Sequence, residues 1–553
     1  MAEPTHNTQI ERRRDLLAIG IIAAVWVLMV AVVRPWGEFP LNDDWSYALS
    51  VRSLIQDGTF RMTFNTTMTL VTQVLWGALF CLPFGFSFTA LRISTLVAGL
   101  GGLIAIYLLA RELGAGRRIT LIAALTMAVN PIYFGLSNTF MTDVPFVALS
   151  AFSIYAFVRS LRRESTASYI LSIVLVCLAV LLRQAGLMLP VAFGLGYLVR
   201  HGIRLPRVVQ AVIPSAAAVI SLIVYQRWLD ATGRLPEFYG YQINMANGFF
   251  TQGLRIFEAF GDVVLRACCY LGLFLFPLLL LVFVARVRGW KLVVTAALAV
   301  AFYVLMRLIG WMGGMPLYQG IGHVLIPQGI GPLTSPGANP APLPHWFWLI
   351  ITWISALGAS MLVIHLLMSA QMLLRRSDRS QADRPLMAMM AAGLVLCLGP
   401  VVMLYFFCIL DRYFLPAIPF LIGAILLIDR PPMKLGRGIT VAVVAILILG
   451  GTFTVGVTHD YLAWNRVRWP ALNDLVAKGV SPLEIDGGYE INGLCFLDSR
   501  YGGDFSSRFV AKNEALYAIT LGPYAGYRPV KAYPYQNWIP PRQGRVFVMR
   551  RSW

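Results

Sequence analysis

Two adjacent carboxylates, Asp43 and Asp44, stand in the run Phe39-Pro40-Leu41-Asn42-Asp43-Asp44-Trp45-Ser46-Tyr47-Ala48, a few residues past a long apolar segment. A carboxylate so placed can take the proton of a hydroxyl group that attacks an electrophile. It can equally be a helix cap: Asn42 or Asp43 would cap a helix over Trp45–Gln56 that Asp57-Gly58 closes. A third acid, Asp143, in Asn138-Thr139-Phe140-Met141-Thr142-Asp143-Val144-Pro145, opens another apolar segment and has the same alternative, with Pro145 in the first turn. Acids at an apolar boundary are costly, which points to function. Arg412 has a bland reading, pairing with its neighbour Asp411 or reaching for the membrane interface. His323 and Gln328 lie in a glycine-rich stretch, where an isolated histidine is more often an ordinary loop residue. Glu38 is a weaker candidate.

What must position these side chains is a membrane bundle. Of 553 residues, 58% are hydrophobic and only 13% charged, with mean hydropathy +0.69. A soluble domain of that composition would lack the polar surface to stay dissolved. Apolar runs long enough to cross a hydrocarbon core of roughly 30 Å recur along the chain. The expected spans fall at 15–34, 88–110, 118–135, 144–160, 167–182, 185–200, 208–229, 263–285, 291–309, 345–370, 386–408, 412–429 and 438–457. The stretch 167–200 is read as two short helices broken near Arg183-Gln184. Leu70–Leu82 is too short to span and is expected at the interface.

The net charge of +19 is not a nucleic-acid signal, because the basic residues cluster in alternate connectors. Examples are Arg12-Arg13-Arg14, Arg117-Arg118, Arg162-Arg163, Arg375-Arg376, and Arg430 with Lys434. The stretch Gly310–Pro344 carries none. Basic connectors stay cytoplasmic, so the amino terminus is expected inside, with the first apolar run as a signal anchor. Segments 35–87, 135–143, 230–262, 310–344 and the tail 458–553 then face the other side. The seven cysteines show no zinc-type spacing, and vicinal Cys268-Cys269 reads as two small buried residues.

The expected architecture is an all-α polytopic membrane domain of about thirteen spans, residues 1–457, followed by a small C-terminal α/β extramembrane domain, 458–553. In that tail, aromatic and aliphatic residues over Tyr461–Ala477 have helical spacing. Leu483–Ile485, Leu516–Thr520 and Val546–Met549 read as short strands. Asp486-Gly487-Gly488-Tyr489-Glu490-Ile491-Asn492-Gly493 reads as a turn, which is the usual meaning of Asp and Gly clusters, or as a cradle for a polar ligand. The Gly- and Pro-rich loop 310–344 is either a lid or a re-entrant plug.

The ordered motifs resemble those of the GT-C superfamily of membrane glycosyltransferases, in the bacterial branch related to aminoarabinose transferase and the protein O-mannosyltransferases. Asp43-Asp44 with Tyr47-Ala48 is similar to the family's acidic pair, and Asp143-Val144-Pro145 to its second acidic motif. Arg412-Tyr413 with Pro416 is similar to its Arg-Tyr-x-x-Pro signature. The resemblance covers the first six spans best and leaves out the tail. It implies inverting transfer of a sugar from a polyprenyl-phosphate donor to a glycan, lipid or protein acceptor on the periplasmic face of a bacterial inner membrane. Asp43 would be the base, and Asp44 and Asp143 would orient it, the acceptor or a divalent ion such as magnesium or manganese. Arg183, Arg412, Arg61 and Arg92 would bind donor phosphate, and His323, Gln328 and Tyr413 would touch substrate. Membrane lipids are the other expected partner, and nucleic acid is not one. A transporter or flippase of lipid-linked sugars is the rival, but it predicts ionisable residues in mid-span and internal repeats, and neither stands out.

Overall fold

The computed structural model describes residues 6–240, 247–309, 313–317, 322–374, 378–406, 408–428, 436–497 and 515–552. Arg375, Arg376, Arg430 and Lys434 of the basic connectors lie outside these, as do parts of loops 230–262 and 310–344. The chain is a multi-pass membrane protein, a helical bundle that carries a small sheet at one end. Among the described residues nine helices are long and apolar enough to cross a membrane, the first Gln9–Val33 and the last Arg437–Ala477.

Two further pairs bring the number to as many as eleven, each bent at a break. Arg117–Ala128 turns by 63° into Pro131–Ser137, where Pro131 cannot continue the ladder and the Asn130 side chain accepts from the Ile132 and Tyr133 amides. Arg255–Phe274 turns by 85° into Phe276–Arg286 at Pro277. The remaining two expected spans are helical but short. Thr166–Val180 and Met188–His201 have 15 and 14 residues, joined through Arg183 and a tight turn over Gln184–Leu187. Among the described residues all the expected segments are therefore helical, but at most eleven meet the length and apolarity of a full crossing.

Loop 322–344 packs as a plug. A two-stranded hairpin pairs Leu325–Ile326 with Gly329–Ile330, and Val324, Leu325 and Ile330 are buried. Ile330 sits against Gly135 and Tyr461 against Gly331, approaches so close that a Cβ on either glycine would collide. Asp411 pins the hairpin by accepting from the amides of Val324 and Leu325.

The helix Arg437–Ala477 runs 41 residues and passes 457/458 without a break. At 1.5 Å per residue it is about 61 Å long, twice a hydrocarbon core of roughly 30 Å. Its far end supports a four-stranded sheet in the order Ile485–Asp486, Tyr517–Thr520, Pro541–Arg551, Tyr527–Trp538, parallel in the first pairing and antiparallel in the others. The expected strand at Val546–Met549 is longer than its apolar core suggests, and Tyr527–Trp538 is a further strand beside it. The helix Tyr489–Leu497 lies where a turn or cradle was expected, and its Gly493 meets the ring of Trp45.

Candidate active site

The acid pair divides. Asn42 adopts a left-handed conformation (φ 57°), which asparagine tolerates, and turns the chain just before Asp43. Asp44 then folds back: its Oδ1 accepts from the Leu41 amide at 2.5 Å and its Oδ2 from the Phe140 amide at 3.1 Å. Asp44 is buried and staples the 41–44 turn to the segment that leads into Asp143. Burial pushes its carboxyl up to about 8, against the Phe140 amide, Arg92 and the Leu41 amide. Its task is to join the two acidic motifs.

Asp43 points the other way. Its Oδ2 accepts from Arg412 Nη2 at 3.3 Å and its Oδ1 from the Tyr489 hydroxyl at 2.7 Å. The side chain is 27% exposed, so a ligand can reach it. Asp43 occupies the N-cap position of the helix Asp44–Gln56, yet its side chain makes no capping hydrogen bond. The capping alternative therefore does not account for it. Asp143 is likewise not a cap: Thr142 holds that position, and Asp143 Oδ1 accepts from Arg183 Nη1 at 2.9 Å.

Arg412 is buried and turned away from Asp411, whose oxygens take the amides of Val324, Leu325 and Arg412 itself. The bland pairing of Arg412 with Asp411 is thus replaced by a bridge to Asp43. Its Nε and Nη1 are buried without a hydrogen-bond partner, and so is Asp143 Oδ2. Tyr47 and Tyr413 stand in the combined field of Arg412, Arg183 and Asp143. His323 lies beside Arg412. Burial, then Arg412 and Arg266, push its imidazole down to about 4, so it is neutral at physiological pH.

Three candidates sit elsewhere. Arg92 is buried and donates to the carbonyls of Pro35, Gly37 and Phe39, fixing the chain that leads to the acids rather than meeting a phosphate. Gln328 donates to the Pro340 carbonyl and braces the plug. Arg61 is exposed in the loop before Val71–Cys81. Glu38, named as a weak candidate, caps the helix Phe88–Glu112 through Ser87 and the Phe88 amide.

The tail supplies what the sequence reading missed. Glu490 accepts from Arg468 Nη2 at 2.7 Å, from the Thr334 hydroxyl at 2.6 Å and from the Asn42 amide at 3.0 Å. Arg468 and Glu490 are both fully buried. The signal available was Tyr489-Glu490 in the Asp-Gly-Gly turn, but a partner more than 400 residues away leaves no trace in local spacing.

The residues named for a divalent ion do not assemble a ligand set. Asp44 uses both oxygens on amides and Asp143 faces Arg183. Among the described residues no three His, Cys, Asp or Glu side chains gather as metal ligands. Two guanidinium groups already balance the two site carboxylates.

Residues 60–229, which include Arg61, Arg92, Asp143 and Arg183, match the profile of the dolichyl-phosphate-mannose-protein mannosyltransferase family. The likeness to membrane glycosyltransferases read from the motifs is borne out over this stretch. No curated protein matches the sequence. Among solved structures, ArnT from Cupriavidus metallidurans bound to undecaprenyl phosphate is 14% identical, covering 97% of each chain at a TM-score of 0.38. The Archaeoglobus fulgidus oligosaccharyltransferase is 15% identical over 81% of this chain and 56% of its own, at a TM-score of 0.42. The arabinosyltransferase EmbB from Mycobacterium smegmatis is 12% identical over 79% of this chain and 42% of its own, at a TM-score of 0.29.

Proposed function

We propose that the protein is an inverting glycosyltransferase that moves a sugar from a polyprenyl-phosphate donor to an acceptor hydroxyl on the non-cytoplasmic face of a bacterial inner membrane. One observation carries this reading: a buried guanidinium, Arg412, holds the accessible carboxylate of Asp43 on one nitrogen and keeps its other two, Nε and Nη1, without a hydrogen-bond partner. A buried cation in that state favours an anion, and a phosphate oxygen suits a guanidinium fork. The matched family takes its name from mannosyl transfer out of a lipid phosphate.

In the reaction the acceptor oxygen forms a bond to the anomeric carbon while the bond from that carbon to the donor phosphate breaks. Asp43 accepts the hydroxyl proton as the new bond forms. The departing phosphate gains negative charge, which the buried Arg412 guanidinium stabilises. Arg183, held by Asp143 and lying 5.9 Å over the Phe146 ring, adds positive potential from the side. His323 and Tyr413 are polar neighbours for the sugar.

The test is to incubate purified protein with radiolabelled polyprenyl-phosphate sugars and a membrane fraction as acceptor, and to ask whether label leaves the lipid. Asp43→Asn should lower turnover by about 10²–10⁴-fold while the protein still inserts and purifies. Undiminished turnover would sink the assignment. Movement of intact lipid-linked sugar across vesicles, without loss of label from the lipid, would favour a flippase.

A further inference from the structure

We infer that Tyr489, delivered by the tail, is a positioning residue for Asp43; this rests on the transfer reading above. The phenol donates to Asp43 Oδ1 at 2.7 Å, a closer hold than the 3.3 Å from Arg412 to Oδ2. With a donor on each oxygen the carboxylate cannot turn freely about its last bond. Its remaining lone pairs point in fixed directions, which is what alignment of a base with an attacking hydroxyl requires.

Tyr489 is itself held at both ends. Its amide donates to the Thr334 carbonyl at 3.1 Å, and the ring meets Trp45 edge-on at 5.9 Å. The next residue, Glu490, takes the amide of Asn42, one residue before the base. The tail therefore fixes Asp43 twice, through its side chain and through the backbone beside it. Burial, with Asp43 next to it, pushes the Tyr489 phenol upward, so it stays protonated and acts only as a donor. Both Asp43 and Tyr489 lie outside the matched family segment, 60–229.

Packing against Trp45 needs the ring and not the hydroxyl, so Tyr489→Phe separates the two roles. In the full-length protein in lipid vesicles, Tyr489→Phe should lower release of sugar from the labelled donors about 10- to 100-fold. Its affinity for undecaprenyl phosphate and its Tm should match the parent. The loss should shrink in an Asp43→Glu background, where the carboxylate has already moved off the phenol. Unchanged turnover overturns the inference, and so does a loss that tracks a fall in Tm or in undecaprenyl phosphate binding, which marks a packing role. If Asp43→Asn is inert while Tyr489→Phe is fully active, the base assignment stands and the tyrosine falls alone. If both variants turn over normally, both fall.

Discussion

At Asp43 a carboxylate meets a guanidinium and a phenol, while one residue on, at Asp44, it meets two backbone amides. The difference follows from the helix that starts there, which sends consecutive side chains in different directions. Replacing Arg412 by Lys keeps the charge but not the fork, so a single ammonium cannot serve Asp43 and a phosphate together. Turnover of Arg412→Lys should fall about 10²–10³-fold, read by release of label from the donor. Asp44 makes a different prediction. Its folded pKa is about 8, raised from 3.8 by burial, so between those values the unfolded chain binds fewer protons than the folded one. The stability this group contributes is full below the lower value and is lost as pH rises through the higher one. The Tm of the parent in detergent should therefore decline from about pH 5 to about pH 8 more steeply than that of Asp44→Asn. Equal slopes would show that Asp44 is ionised throughout. The convergence of Asp43, Asp143, Arg183 and Arg412 was readable from residue type and position at the apolar boundaries. That Arg92 clamps carbonyls was not, because sequence spacing does not show which backbone oxygens a buried arginine will reach.

At the scale of elements, the helix Tyr489–Leu497 and the acid-bearing helix Asp44–Gln56 form one unit through Trp45, Gly493 and the Arg468–Glu490 pair. Breaking a buried pair leaves an uncompensated charge, which costs about 3–5 kcal/mol. Glu490→Gln should lower Tm and reduce turnover together, in contrast to Tyr489→Phe, and an unchanged Tm would show that the pair does not hold the tail. The helical segments were legible because apolar length is a strong signal in a bilayer. The breaks at Pro131 and Pro277 fall inside segments expected as continuous spans, because a proline in an apolar run does not show how far packing will bend it. The strand Tyr527–Trp538 was hidden by Pro529 and Pro534, which suit only a strand at a sheet edge. It is an edge strand, with a register shift between Pro529 and Lys531.

For the whole molecule, the clustering of basic connectors predicts the orientation that the proposed reaction needs. Arg118 and Arg545 are both exposed, the first in a basic connector and the second in the tail sheet. An impermeant maleimide applied to intact spheroplasts should label Arg545→Cys well above the parent chain, and Arg118→Cys only after lysis. The reverse pattern would put the acids on the cytoplasmic side and remove the proposed function. The division at 457/458 describes where the polar tail begins, but the Arg437–Ala477 helix crosses it unbroken and the site draws residues from both parts. Local patterns reveal spans and turns one at a time. They do not show that the first extramembrane loop and the tail are halves of one site.

The bond from the Asn42 amide to Glu490 links residues 448 positions apart, and that distance is also an interval of time. A ribosome adding about 5–20 residues per second takes roughly 20 to 90 s to pass from one to the other. Throughout that interval the acidic loop exists without its anchor. A chain released before residue 490 would carry the acids without their brace.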